Sequence, residues 1–272
     1  MNQEPKPTYW EAIALNWKNV GSPLRPCRID IENFSELIKR FGGPGTRALI
    51  LGVTPELYGL PWPANSAVFS ADRSIEMIKA IWPGPEEQAT QANWLELPFP
   101  DNSFDCALCD GGLHLLQYPD EQKQLSASIA RILKPGGRFI IRLFARPVPA
   151  EHTEAVFSDL QAGNIPNTHI FKLRLLMAMQ DSPEEGILLK KVFEQIVREF
   201  GSLAGLQAAT GWPAAEVSTL ASYETSTNRY GFLTEEQSIE ILHATGNLSL
   251  SRRIESRYPL GERCPVLSFK KS

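Results

Sequence analysis

A doubly wound α/β sheet of seven strands, mostly parallel, with a helical insertion after strand five is the fold this sequence predicts. Three observations carry the expectation. Short apolar runs and amphipathic helices alternate from Arg47 to Phe144, the rhythm of right-handed crossovers in a parallel sheet. After Pro147 and Pro149 that rhythm breaks, and residues 150–231 read as helical throughout. It then resumes with one helix and two strands.

In chain order, Tyr9, Ile13 and Trp17 fall on one face of a helix over Tyr9 to Lys18. Phe34, Leu37, Ile38 and Phe41 share a face of a second helix, Ile31 to Phe41, stopped by Gly42-Gly43-Pro44-Gly45. Strands are expected at Arg47 to Val53, at Ser66 to Ala71, near Gln88 to Trp94, at Phe104 to Cys109 and at Arg138 to Phe144. A helix with Ile75, Ile78, Ile81 and Trp82 on its apolar side follows the second strand. Another, over Glu121 to Leu133, follows the fourth and closes at Lys134-Pro135-Gly136-Gly137. Within the insertion, Ile187, Leu188, Val192, Ile196 and Phe200 mark one apolar helix face. Thr234-Glu235-Glu236-Gln237 is a capping box opening a helix to His243, and the last strands fit Leu248 to Arg257 and Val266 to Lys270. The layout divides into an N-terminal helical segment (1–46), a sheet core (47–149 and 232–272) and the insertion (150–231).

At 272 residues, with 43% hydrophobic and 21% charged, the chain can bury a core without disulfides or metal. A net charge of −4 and the lack of a Lys/Arg stripe speak against a grip on nucleic-acid backbone, so no nucleic-acid partner is expected. Met1 to Trp10 is polar and no run of about 18 apolar residues exists, so neither signal peptide nor membrane span is expected and the location is read as cytoplasmic. Cys106 and Cys109 form a C-x-x-C inside an apolar strand, which reads as buried thiols rather than a redox or metal pair. His114, His152, His169 and His243 lack ligand spacing, and no metal site is expected.

In an open parallel sheet the ligand lies at the carboxyl ends of the strands, where the strand order reverses. Strand one exits through Gly52-Val53-Thr54-Pro55-Glu56. Strand two ends at Asp72, about 20 residues after Gly52, the spacing at which a carboxylate accepts from the hydroxyls of a nucleoside's ribose. Downstream come Leu97-Pro98-Phe99-Pro100-Asp101-Asn102-Ser103-Phe104-Asp105, then Asp110-Gly111-Gly112, Leu113-His114-Leu115-Leu116, and Leu133-Lys134-Pro135-Gly136-Gly137.

Over roughly Leu49 to Phe144 this order of motifs resembles the class I S-adenosylmethionine-dependent methyltransferases, in the methyltransferase type 11-like branch. The resemblance implies a Rossmann-like sheet with an antiparallel last strand and S-adenosyl-L-methionine as cofactor. It further implies methyl transfer by direct displacement to a small-molecule acceptor. Asp72, with Arg73 beside it, would bind the ribose, and Asn93 and Trp94 would line the adenine site. Asp110 and Gly111 would face the methionine part and the reaction centre. Gly52, Thr54, Pro55 and Glu56 would cradle the cofactor backbone.

One departure stands out. The family's first loop reads as an acid followed by Gly-x-Gly-x-Gly, whereas this chain has Ile50 in the acidic place and a single glycine, Gly52. Either the loop binds the same cofactor differently, with Glu56 accepting from its ammonium, or binding is lost and the fold acts non-catalytically through a protein partner. Pro55 at the first turn of a helix favours a shaped loop.

Each candidate also has a plainer reading. Asp72 is a ribose acceptor or a helix cap; Asp110 is a general base or a substrate anchor; His114 is a catalytic proton acceptor or a packed ring. Trp94 is an adenine platform or core, and Arg142 and Arg146 bind an acidic substrate group or form surface salt bridges. The insertion, with its apolar helix around Phe171, Leu175 and Met179 and with Lys172 and Arg174, is a lid over the acceptor or the interface of a homodimer.

Overall fold

A computed structural model describes residues 8–272; the first part of the polar N-terminal stretch, residues 1–7, lies outside the described residues. Nine strands are present among them: β1 (Arg47–Leu51), β2 (Ala67–Asp72), β3 (Ala89–Gln91), β4 (Phe104–Asp110), β5 (Leu133–Arg142), β6 (Ile187–Leu188), β7 (Arg229–Tyr230), β8 (Leu248–Ile254) and β9 (Val266–Lys271). Seven form one sheet in the order β3-β2-β1-β4-β5-β9-β8. The pairs from β3 to β5 are parallel, and β9 runs antiparallel to both of its neighbours. Strand order reverses between β1 and β4, so the crevice opens at their carboxyl ends.

The apolar runs are continuous because both faces of the sheet are covered. Leu49, Leu51, Ala107, Cys109, Phe139 and Ile141 face one side, against Leu125, Ile129 and Ile132 of α5 (Asp120–Ile132) and Ile241 and Leu242 of α11 (Glu235–His243). Their alternates Ala48, Ile50, Cys106, Leu108 and Ile140 face the other, against Phe34, Leu37 and Ile38 of α2 (Arg28–Lys39). Thus α2 is a layer of the sheet's own core. The N-terminal α1 (Tyr9–Leu15), capped by Thr8 with Glu11, sets Trp10, Ile13 and Ala14 against Val53, Met77 and Ile78 beside the cleft.

Three sequence expectations need correction. Lys134-Pro135-Gly136-Gly137 does not cap a helix: α5 ends at Ile132, Leu133 already pairs with Phe104, and the Pro-Gly-Gly stretch bulges β5 before Arg138 pairs with Cys106. Gly136 takes φ +76, which makes that bulge possible. Residues 150–231 are not helical throughout, since Ile187–Leu188 pairs antiparallel with Arg229–Tyr230. Arg142 is no surface cation: it is fully buried.

Between these two short strands and before them lie α6 (Thr153–Gln161), α7 (Thr168–Ala178), α8 (Leu189–Phe200), α9 (Leu203–Thr210) and α10 (Ala214–Ser218). They enclose a core of their own, with Phe171, Val192, Ile196, Leu206 and Leu220 at its centre. No helix of the described residues is long and apolar enough to cross a membrane. Cys106 and Cys109 pack into opposite faces of the sheet as free thiols, and burial pushes Cys109 up to about 12.

Candidate active site

Gly52 leaves β1 at φ +87, a backbone conformation that side chains disfavour. Its N–H donates to the Ala71 carbonyl at 2.8 Å and its carbonyl accepts from Ser70 Oγ at 3.0 Å, which locks the turn to β2. A Cβ there would lie 3.6 Å from the Trp94 ring and 3.7 Å from Asp72 Oδ2, so bare backbone faces both. Thr54 and Pro55 then open a four-residue helix, α3 (Pro55–Tyr58), with Pro55 in its first turn.

Asp72 ends β2 at the cleft. Its Oδ1 accepts from Ser74 N at 2.8 Å, while Ser74, not Asp72, caps the following helix, α4 (Ile75–Ile81), through Met77 N. Burial pushes the Asp72 carboxyl up to about 6, against the pull of backbone donors at Ser74 and Val53. Asn93 accepts from Leu95 N at 3.2 Å, and the Trp94 indole donates to Ala71 O at 2.7 Å, fixing that ring beside Asp72. Gly112 packs against it, where a Cβ would come within 2.9 Å of the ring and 2.5 Å of Cys109 Sγ. Gly111, at φ +63, leaves room for Phe144 in the same way.

The other two acids differ from expectation. Asp110 is held by Arg142 through two contacts, Nε to Oδ1 at 2.5 Å and Nη2 to Oδ2 at 3.1 Å. Arg142 Nη1 also donates to Asp30 Oδ2 at 3.1 Å and to the Tyr258 hydroxyl at 2.9 Å. Burial works against the Arg142 charge, but Asp110, Tyr258 and Asp30 raise it above its ordinary value. A carboxylate so engaged is a structural anchor of the cleft floor and is not free to act as a general base. Glu56 stands behind the loop with Arg25 bonded to its Oε1, while its buried Oε2 has no partner. Arg146 Nη2 donates to Gln180 O at 2.5 Å, so Arg146, too, ties elements together.

His114 is enclosed by aromatic rings: it stacks on Phe232 at 5.0 Å and 6°, and meets Phe144 at 5.2 Å and Tyr230 at 4.7 Å. Burial alone pushes it down to about 3, so it is neutral, and its Nδ1 has no partner.

One cleft, with a cavity volume of about 160 Å³, brings together Gly52, Thr54, Asp72, Trp94, Asp110, Gly111 and His114. A recess beside Asp72 and Trp94 adds Arg73 and Asn93. Pro55 and Glu56 line neither space. The sequence reading set Lys172 on the insertion's candidate lid but missed the rest of the far wall: Tyr9, Trp10, Phe144, Tyr223 and Tyr230 line the cleft beside Lys172. The signal for Lys172 was present, as a lone cation within the apolar run Ile170-Phe171-Lys172-Leu173; the tyrosines, from distant segments, carried none.

Residues 52–141 match the family described as methyltransferase domain. Over 58 residues the chain is 47% identical to the ubiquinone/menaquinone biosynthesis C-methyltransferase UbiE of Pasteurella multocida, covering 21% of this chain and 20% of that protein. The chain thus spans about a fifth of the length of the curated relatives it matches. Among solved structures, a Rhodobacter sphaeroides protein provisionally described as a Zn-dependent alcohol dehydrogenase superposes with TM-score 0.58 at 14% identity, over 96% of this chain and 98% of that one. The Burkholderia thailandensis 1,6-didemethyltoxoflavin-N1-methyltransferase, with bound 1,6-didemethyltoxoflavin and S-adenosylhomocysteine, gives 0.50 at 16% identity, over 100% and 93%. These likenesses concern the fold. Residues 52–141 thus resemble a methyltransferase domain, and the strand order is that of a Rossmann-like methyltransferase fold.

Proposed function

We propose that this chain transfers a methyl group from S-adenosylmethionine to a small-molecule acceptor by direct displacement. The observation that carries the reading is Asp72 beside the bare backbone of Gly52 and the fixed Trp94 ring, at the point where strand order reverses. The residues present fit the cofactor. Asp72 and Arg73 would take the ribose, Asn93 and Trp94 the adenine, and the backbone from Gly52 to Thr54 the methionine chain beside Gly111. The surplus carboxylate of the Asp30–Arg142–Asp110 group, whose Asp110 lines the cleft, is the feature suited to its ammonium. When bound, the cofactor supplies an electrophilic methyl on a sulfonium. The protein then has to position the nucleophile and exclude water.

His114, pushed down to about 3, and Asp110, engaged by Arg142, are poorly placed to take a proton from the acceptor, and Lys172, pushed down to about 8 by burial, is the group on this wall that titrates nearest neutrality. The small-molecule class is supported by the cleft's lining and by the bound ligand of the Burkholderia enzyme. The insertion serves as a lid, since it supplies Lys172, Leu173, Leu176, Tyr223 and Tyr230 to the cleft wall. The exposed large hydrophobics, Leu15, Val148 and Leu250, all lie outside it, which disfavours the homodimer interface there. Free thiols support a cytoplasmic location.

The test is calorimetry with S-adenosylmethionine on wild type and Asp72→Ala. Micromolar binding weakened tenfold or more, by roughly 1.4 kcal/mol or greater, is expected. No binding by the folded wild type sinks the reading and leaves the partner-binding role.

A further inference from the structure

We propose that the acceptor is a flat ring bearing a carboxylate, and that Lys172 holds this group in the part of the cleft walled by the insertion; this rests on the methyl-transfer reading. Lys172 projects from α7, whose residues from Thr168 to Leu173 are all buried, and is itself 2% exposed. The other basic side chains of that helix have acidic neighbours, although burial keeps His169 neutral by pushing it down to about 4. Arg174 is bonded to Glu151 and, at 2.6 Å, to Asp159, and His169 faces Glu216 at 3.8 Å. Among the described residues the Lys172 ammonium has neither a carboxylate partner nor a hydrogen bond; the Tyr223 ring lies 5.0 Å from it.

Burial pushes Lys172 down to about 8, which leaves it mostly charged at neutral pH. An unpaired buried cation is costly, and Leu or Met would pack in its place. What remains to pair with it is a group that enters the cleft. The surroundings give that group's shape. His114, Phe232, Phe144 and Tyr230 pack on one another and present a wall of rings to the cleft, against which a flat molecule can lie. Tyr9 and Tyr230 share a hydroxyl hydrogen bond of 2.6 Å on the same wall, and hydroxyls suit an anionic oxygen. An aromatic cage also suits ammonium acceptors, but the charge of Lys172 opposes them.

The experiment titrates benzoate and benzamide, alike in shape and different in charge, into the protein saturated with S-adenosylhomocysteine. Wild type should bind benzoate about tenfold to a hundredfold more tightly. Lys172→Met should bind the two equally, while its melting temperature does not fall and its affinity for S-adenosylhomocysteine stays unchanged. If the Met variant fails to fold, Lys172→Gln carries the same comparison. No preference in wild type, binding of neither probe, or a preference retained without Lys172 overturns the assignment. Failure of S-adenosylhomocysteine to bind wild type would instead overturn the methyl-transfer reading; the two probes, titrated alone, would still decide the anion site.

Discussion

Asp72→Asn should stabilise the free protein and weaken cofactor binding at once. Placed part-buried at the end of β2, the carboxyl titrates at about 6 in place of 3.8, chiefly through burial. That rise corresponds to about 3 kcal/mol opposing folding once the group is ionised. The sign follows from the folded value lying above the unfolded one: the penalty is complete above about 6 and absent below 3.8. An asparagine keeps an acceptor for Ser74 N and sheds the charge, so a gain of about 1–3 kcal/mol is expected at pH 7. For a chain of this size the melting temperature should rise by roughly 2–12 °C, with the difference vanishing near pH 4. Binding moves the other way, because an amide presents fewer acceptors to a ribose diol than a carboxylate does. A loss of about tenfold or more in S-adenosylhomocysteine affinity is expected by calorimetry. In wild type that affinity should itself decline as pH falls through about 6, and the decline should be absent in the variant. A variant that melts lower at pH 7 and binds as wild type would refute both halves of the reasoning.

Three further outcomes follow from the buried groups. Arg142→Met leaves Asp110 and Asp30 buried without their guanidinium, so a loss of about 3–5 kcal/mol and a melting temperature roughly 6–20 °C lower are expected; a change within 2 °C or so would show that the carboxylates are satisfied otherwise. His114→Phe removes an unpartnered buried nitrogen from an aromatic stack, so stability should hold or rise by about 1 kcal/mol and methyl transfer should stay within a few-fold, whereas a hundredfold loss of kcat would restore His114 as proton acceptor. Glu56→Gln keeps the contact with Arg25 but removes the charge, and because Glu56 lines neither space S-adenosylmethionine affinity should stay within a few-fold; a loss of about tenfold would make its unpartnered Oε2 the ammonium site.

The sheet was legible because its strands are covered on both faces and therefore read as unbroken apolar runs, as in Leu49-Ile50-Leu51. Asp72 was legible because its spacing from Gly52 is set by a strand-helix-strand turn rather than by tertiary detail. Arg142 was not. An arginine at a strand's end reads as exposed, and only the topology brings Asp110 from β4 and Asp30 from α2 to its two sides. The Lys-Pro-Gly-Gly stretch misled for a related reason. Its residues suit a helix stop, but pairing of Leu133 with Phe104 turns the same glycines into a bulge. Tyr9 and Tyr230 meet across 221 residues, and no local pattern announces that.

These placements account for the departure in the first loop. A glycine-rich loop lets backbone approach a ligand at several successive positions; here that approach is concentrated at Gly52, with Gly111 and Gly112 supplying close packing from β4's exit. The acid usually found on strand one is replaced by Ile50, which is fully buried in the sheet. On the reading proposed above, negative charge would be supplied from outside the strand instead, by the Asp30–Asp110 pair around Arg142. The cleft is thereby divided: acids gather where a cationic cofactor would lie, and the unpaired cation Lys172 stands on the wall contributed by the insertion. On the methyl-transfer reading proposed above, such a division would orient two substrates of opposite charge, and the insertion, rather than the sheet, would select the acceptor.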